Sequence, residues 1–361
     1  MPNFDLSALA IKGACPNNEI LYDDKGLPSI MVRIPKMTYA QAGLGTAATV
    51  MPAFIVNGRE VDEIYIGKFQ ANVENDRAYS LPGIDCRASV TLDQAIQYCK
   101  NKGKGWHVMT NAEWGALMRW CAVRGITPIG NNDWGKHNSE SVYTGIPTTF
   151  ESDGRTRHIA NGTGPLTYYH DQTPRGIADV CGNVWEWAGG IRCVYGELQI
   201  MTANAAADSD NSQDASSSLW KAIRASDGAL ITPNGSGTTS GSIKMDYVNS
   251  KLTYSTSITD TARGNKYHSS FNTIACTSAI SAAAKLLLQT LGMLPYSSSD
   301  FSYNQGVWWN NAEAERCFFR GGCCDNTSLG FSSFHGYFPR SLSGVNVGFR
   351  VAYPHSQMLQ A

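Results

Sequence analysis

The chain has 361 residues, 42% of them apolar, and its 29 basic and 30 acidic side chains leave a net charge of −1. That length suits two or three small domains or one domain with insertions, and the apolar content is enough for a true core. The even charge balance argues against nucleic acid or an anionic membrane as partner. No stretch approaches the ~20 apolar residues of a membrane span, and the start Met1-Pro2-Asn3-Phe4-Asp5 lacks the basic and apolar regions of a secretion signal.

Residues 1–28 are polar and irregular and read as a tail or docking arm. Ile30 to Ile34 reads as a strand stopped by Pro35, and Ile64 to Phe69 as a second. Thr91 with Gln94, and Thr110 with Glu113, have capping-box spacing. After each box, apolar residues recur at helical intervals: Leu92, Ala95, Ile96 and Cys99, then Trp114, Leu117, Met118 and Cys121. Each helix is expected to bury one stripe against a sheet.

Residues 126–175 are rich in Gly, Asn, Asp and Thr and read as loop. Gly182-Asn183 suits a tight turn, and Trp185, Glu186 and Trp187 alternate so that both indoles point to one side of a strand. An insertion is expected at about 196–305, with loop-like or disordered composition at 203–218 and 233–243. A helix resumes near Ser278, with Ile280, Ala284, Leu287, Leu288 and Leu291 on one face and Gly292 at its end. Residues 353–361 form a short tail.

The ten cysteines include no CxxC pair and no Cys/His cluster with zinc spacing, so reduced thiols are expected and no metal or cofactor. Cys323 and Cys324 are adjacent and read as two separate thiols. The seven histidines are scattered singly, and no GxSxG, HExxH or Gly-rich phosphate loop occurs. The EPN, QPD and WND motifs of calcium-dependent sugar binding are also missing; Asn131-Asn132-Asp133-Trp134 has the wrong order. No catalytic residue is nominated.

Four segments together carry a family resemblance. Trp106 to Met109 followed by Thr110-Asn111-Ala112-Glu113-Trp114 resembles the "RLPTEAEWE" helix start of the formylglycine-generating-enzyme type of C-type lectin fold. Gly176 to Trp187 resembles that family's "GLYDMxGNVWEW", and Arg320-Gly321-Gly322 and Gly348-Phe349-Arg350 its closing "RGGSW … GFR". The resemblance covers about residues 29–352 and implies an α+β, loop-rich fold of small antiparallel sheets and two packed helices. Trp185, Glu186, Trp187, Arg320 and Arg350 are then scaffold, with each guanidinium bracing loop carbonyls or a carboxylate such as Glu186. The oxidase members need two cysteines spaced beyond RGG(S/T)W. Here Cys323 and Cys324 follow Gly322 directly and no cysteine comes after, so the catalytic arrangement does not carry over.

A second branch of the fold fits the last motif. The segment at about 320–350 resembles the variable region of diversity-generating-retroelement proteins, phage tropism determinants among them. In those proteins adenines of AAC or AAT template codons are mutated, which reaches most residue types but not Trp, Lys, Glu, Gln or Met. Cys323, Cys324, Asp325, Asn326, His335, Tyr337, Phe338, Leu342, Gly344, Val345 and Asn346 are all reachable and are nominated as ligand-binding positions, with Phe331 and Ser333 as further members. Cys324 stands where the family has Trp. Turn-forming residues, Gly336, Pro339, Arg340, Ser341 and Ser343, hold the backbone between them. Trp308 and Trp309 are expected in the core, with rim contact second. The resemblance implies a hypervariable binder of an unknown protein or surface ligand of a host cell. It would be displayed as a homo-oligomer on a phage tail or bacterial surface, with avidity raised by copy number.

Overall fold

The computed structural model describes residues 6–260, 263, 267–301 and 305–354. Two sheets carry the architecture. The smaller has five strands in the order Asn18–Tyr22, Pro28–Pro35, Glu63–Gly67, Val351–Pro354 and His107–Val108. Every pairing in it is antiparallel, and the last described strand sits beside one from the first fifth of the chain. The larger has twelve strands and is built around Trp185–Val194. The described residues also contain four α-helices: α1 (Leu6–Ala14), α2 (Leu92–Lys100), α3 (Asn111–Ala122) and α4 (Ala282–Thr290). None is long and apolar enough to cross a membrane.

Both capping boxes form. Thr91 Oγ1 accepts from the Gln94 N–H at 3.2 Å while Gln94 Oε1 accepts from the Thr91 N–H at 2.9 Å. Thr110 and Glu113 repeat the exchange at 3.2 and 2.8 Å. Helix α2 buries the expected stripe of Leu92, Ala95 and Cys99. Helix α3 differs from the one-stripe expectation: nearly all its residues are buried, Asn111, Glu113 and Arg119 included, because α4 packs on the side away from the sheet. The polar members find partners within the core, although the Asn111 side-chain oxygen has none. Asn111 donates to the Leu291 carbonyl at 2.9 Å, and Arg119 pairs with Asp300 at 2.9 Å.

Two further expectations need correction. Of residues 1–28, the described part, 6–28, is not an irregular tail: α1 is followed by Asn18–Tyr22, which pairs with Pro28–Pro35 over five residues. The Asn18 side chain is buried and donates to the Arg175 carbonyl at 2.7 Å, which ties the segment to a distant loop. The outermost termini, 1–5 and 355–361, lie outside the described residues. The stretch from 196 to 305 extends the large sheet with Glu197–Met201, Trp220–Ile223, Lys244–Val248 and Lys251–Ser255. The Ala/Ser-rich loop within it is pinned by a small cluster of Met201, Ala205, Ala206 and Trp220. Apolar residues of the wider stretch, among them Ile223, Met245, Leu252 and Tyr254, reach the main core, where burial outweighs the loop-like composition.

Strand alternation separates two cores. Phe318, Val307 and Trp309 belong to one cluster; Cys317, Phe319 and Trp308 point to the other, together with Trp185 and Trp187. Gly182 and Asn183 enter the Trp185 strand through positive φ values of 77° and 65°. A Cβ on Gly182 would lie 2.2 Å from the Asn131 carbonyl oxygen, so the turn admits only glycine there.

Candidate functional site

The two closing motifs flank one strand. Arg316–Arg320 pairs antiparallel with Trp185–Val194, with Glu186 opposite Arg320. Val347–Phe349 pairs with the same strand in parallel on its other side, with Glu186 opposite Gly348. Residues 321–346 therefore leave the scaffold on one side of Trp185–Trp187 and return on the other. Gly321 and Gly322 turn the chain out with φ of 85° and 82°, values that L side chains rarely adopt.

The scaffold residues are buried. Arg350 places Nε 2.9 Å from Glu186 Oε2 and Nη2 2.7 Å from Oε1, and it donates to the Gly67 and Ala178 carbonyls at 2.9 Å each. Gln70 donates a further hydrogen bond to Glu186 Oε1 at 3.0 Å. Arg320 departs from the expected carboxylate brace. It donates to the Gly292 carbonyl at 3.1 Å and otherwise meets the sulfurs of Met118 and Met293 and the rings of Trp114 and Phe334. Burial pushes its guanidinium down to about 9.

Between these anchors lies a cleft of about 270 Å³. Its floor is aromatic: Trp185, Trp308 and Phe319. His335 sits on the short strand Phe334–Gly336, in register with Phe319 on one side and Trp308 on the other. Its imidazole stacks on Trp308 (5.6 Å, 12°) and on Phe338 (5.0 Å, 18°) and meets the edge of Trp185 (5.6 Å, 85°). Phe338, Leu342, Leu329 and Val347 form the apolar wall.

The rim is polar. Cys323 Sγ donates to Asp325 Oδ1 at 3.0 Å, and Asn346 Nδ2 donates to Asp325 Oδ2 at 3.2 Å, which joins the two ends of the segment. Asn326 and Gly344 complete the lining. The loop is held from below: the Ser89 N–H donates to the Gly344 carbonyl at 3.0 Å and the Leu92 N–H to the Arg340 carbonyl at 3.1 Å. Arg340 forks onto Glu315 at 2.7 and 3.0 Å and reaches Asp93 at 2.7 Å.

Of the nominated positions, Cys323, Asp325, Asn326, His335, Phe338, Leu342, Gly344 and Asn346 come together in this cleft. Val345 lies exposed at the rim, and half-buried Tyr337 packs edge-on against Phe338 outside the lining. Three nominations are corrected. Phe331 is fully buried between Trp114 (5.7 Å) and Phe301 (5.8 Å), in the opposite core. Cys324 is fully buried, its N–H bonded to the Asn183 carbonyl at 3.2 Å and its carbonyl to the Trp134 N–H at 2.8 Å. Ser333 is buried, with its hydroxyl accepting from the Gly330 N–H at 3.0 Å. Conversely, Trp185, Phe319, Leu329 and Val347 line the cleft without having been expected there, and Trp308 makes the cleft contact that was its second expected role. Alternation along Val307-Trp308-Trp309 and Phe318-Phe319 was the available signal.

Chemically the cleft offers apolar contact and hydrogen bonding. The Cys323 thiol is held well above the ordinary range by burial first and by Asp325 second, and Cys324 is pushed up to about 12 by burial and the same carboxylate. A thiol needs its thiolate to act as a nucleophile, and these surroundings work against that form. Other histidines serve the scaffold: His107 pairs with Glu113 at 2.9 Å, and His170 accepts from the Ile177 N–H at 2.8 Å. Outside the cleft, Asp85, Cys86 and His158 bring ligand-type atoms within 4.8 Å of one another, a grouping that no local spacing announces.

Residues 76–224 match the family model described as a sulfatase-modifying factor enzyme 1-like domain, FGE-sulfatase. That stretch carries α2, α3 and the Gly182–Trp187 turn and strand, and the fold is the α+β, formylglycine-generating-enzyme-like C-type lectin fold. Among solved structures the chain is similar to PvdO from Pseudomonas aeruginosa, with 14% identity over 93% of this chain and 98% of that one, at a TM-score of 0.32. It is also similar to the P3c variant of the Major Tropism Determinant, with 12% identity over 94% of this chain and 72% of that one, at a TM-score of 0.30. No curated protein matches.

Proposed function

We propose that this protein is a non-enzymatic, hypervariable ligand-binding protein whose cleft is a receptor-binding site, carried on a phage tail or a bacterial surface. The observation that carries this reading is the convergence of eight nominated positions on one cleft while both bracketing motifs are buried in the scaffold. Positions 323, 325 and 326, then 335 and 338, then 342, 344 and 346 reach it from three separate stretches of the segment, each held by backbone hydrogen bonds. A preorganised frame of that kind lowers the ordering cost of binding. Phe338 and Leu342 supply the apolar anchors; Asp325, Asn326, Asn346 and His335 supply adaptable polar contacts. At about 270 Å³ the cleft is at the small end of ligand pockets, so it accepts one protruding group of a larger surface.

The reading includes self-association. Val142, Tyr143, Ile146 and Phe150 are each more than half exposed along one short segment, and burying them against a second copy would remove that apolar surface from water. Light scattering on the purified protein tests this, and a monomer at high concentration would overturn it.

The family match over residues 76–224 favours a second reading, an oxidase or other enzyme on the same fold. The two readings separate at the DNA level. The binder predicts a near-copy of the codons for 320–350 beside the gene, with adenines at the cleft positions and a reverse-transcriptase gene nearby. A locus without the repeat would overturn the hypervariable reading. Loss of a measured turnover in Cys323→Ser would establish the enzyme.

A further inference from the structure

We infer that Asp85, Cys86 and His158 form a divalent transition-metal site, zinc by the chemistry of its donors, which fastens the rim of the cleft to the scaffold. The three residues offer one oxygen, one sulfur and one nitrogen, a donor set that suits zinc better than magnesium or calcium. Asp85 Oδ1 lies 3.2 Å from His158 Nδ1 and 4.0 Å from Cys86 Sγ. Bonds of about 2.0–2.3 Å in a tetrahedral site put donor atoms roughly 3.3–3.7 Å apart, and the three donors lie within 4.8 Å of one another, so side-chain shifts of up to about 1 Å close them on an ion.

The histidine is the second observation. His158 is nearly fully buried, and its Nδ1 faces Asp85 Oδ1 at 3.2 Å, a charge contact without a well-aligned hydrogen bond. Its Nε2 lies 3.2 Å from the Val345 carbonyl oxygen, a contact in which only the nitrogen can donate. With Nε2 directed at that carbonyl, Nδ1 faces the Asp85 carboxylate and the Cys86 sulfur. A ligating histidine characteristically donates its other N–H to a carbonyl and turns its remaining nitrogen to the ion.

The surroundings have the form of an outer shell. Thr148 and Thr149 donate to the two Asp85 oxygens at 2.9 and 2.7 Å, and Asn183 Nδ2 lies 3.6 Å from Cys86 Sγ. Asp85 is partly exposed, which leaves an entry path and room for a water as fourth ligand. Burial, then the Asp85 charge, keeps the Cys86 thiol well above its ordinary range, so metal binding displaces a proton and tightens as pH rises.

Through His158 the ion holds Val345, whose neighbours Gly344 and Asn346 line the cleft. The site is made of its own residues and would take metal whether or not the cleft binds a ligand. The test is titration of the chelator-treated full chain with Co²⁺ and then Zn²⁺. One equivalent of Co²⁺, a thiolate-to-cobalt charge-transfer band and its loss on adding zinc are expected. Cys86→Ser removes the band, Asp85→Asn and His158→Gln weaken binding by about tenfold or more, and Cys276→Ser leaves it unchanged. Asp85 is partly exposed, so Asp85→Asn tests the site without disturbing the core. No saturable band in the unaltered protein, or a band that survives in Cys86→Ser, would overturn the inference. So would a His158 imidazole that titrates freely at equimolar zinc, since a proton would then occupy the place assigned to the metal.

Discussion

Arg350 grips Glu186 with two nitrogens, at 2.9 and 2.7 Å, and both side chains are buried. The pair joins the strand at the heart of the large sheet to the strand that closes the chain, and so fixes where the segment 321–346 ends. Removing one partner strands the other as a buried charge. Glu186→Gln and Arg350→Met are each expected to cost about 3–5 kcal/mol of folding stability. Chemical denaturation measures this, and a loss below 1 kcal/mol would show that the pair is not the clasp described.

Much of this was legible in the sequence. Both capping boxes follow from a hydroxyl and an acid or amide three residues apart, and Gly182-Asn183 from the positive φ that a tight turn needs. The cleft was legible because unrelated side chains alternate with turn residues between two rigid motifs. What composition could not reveal was long-range packing. Residues 203–218 read as loop because alanine and serine carry no periodicity, yet Trp220 and Met201 pin them. Phe331 and Cys324 look no different from their neighbours in the chain, and only the path of the turn sends them inward. The position of Cys324 where the family carries Trp was the one sequence signal of that burial. Asp85, Cys86 and His158 meet because a loop and a strand more than 70 residues apart in the chain lie side by side.

The segment should tolerate substitution unevenly. Asp325 and Val345 are exposed, so Asp325→Asn and Val345→Thr are expected to change stability by no more than about 0.5 kcal/mol. Phe331→Asn empties a core site between Trp114 and Phe301 and should cost about 3–5 kcal/mol. A panel of melting curves over positions 323–346 would show the pattern, and a uniform response would contradict the cleft as drawn.

Arg340 is the hinge pin of the wall. It bonds Glu315 twice, Asp93 once and the Gln213 carbonyl at 3.0 Å, and so ties the loop carrying Phe338 and Leu342 to three distant segments. Burial would raise the Glu315 carboxyl, but bonds from Arg340 and Arg192 outweigh it and hold the group below its ordinary range. A depressed acid contributes stability above its unfolded value and loses it as pH falls, so the wall should loosen under acid. Arg340→Ala is expected to weaken ligand or cell-surface binding at least about tenfold while costing about 1–3 kcal/mol of stability. Arg340→Lys should not rescue it, because an ammonium cannot fork. Full binding by Arg340→Lys would refute the bidentate role.

Lys102 offers a test of burial against cation–π attraction. Its ammonium lies 4.0 Å from the Tyr79 ring centroid and 4.2 Å from that of Trp106, with one hydrogen bond of 3.1 Å to Ser29. Burial pushes the amine down to about 8, from an ordinary value of 10.5. Because the folded value is the lower one, folding favours the neutral amine. The cost of holding it charged is fully present below pH 8 and disappears as pH rises toward 10.5. That cost is about 3 kcal/mol before the two aromatic faces return some 1–2 kcal/mol of it. Lys102→Met is therefore expected to stabilise the protein by about 1–2 kcal/mol at pH 7, and by less at pH 10. Tyr79 stays neutral over that interval because burial, then Asp23, lifts its phenol to about 12. Urea unfolding of both proteins at the two pH values decides the matter: an equal gain at both would mean that Lys102 keeps its ordinary proton affinity in the folded chain.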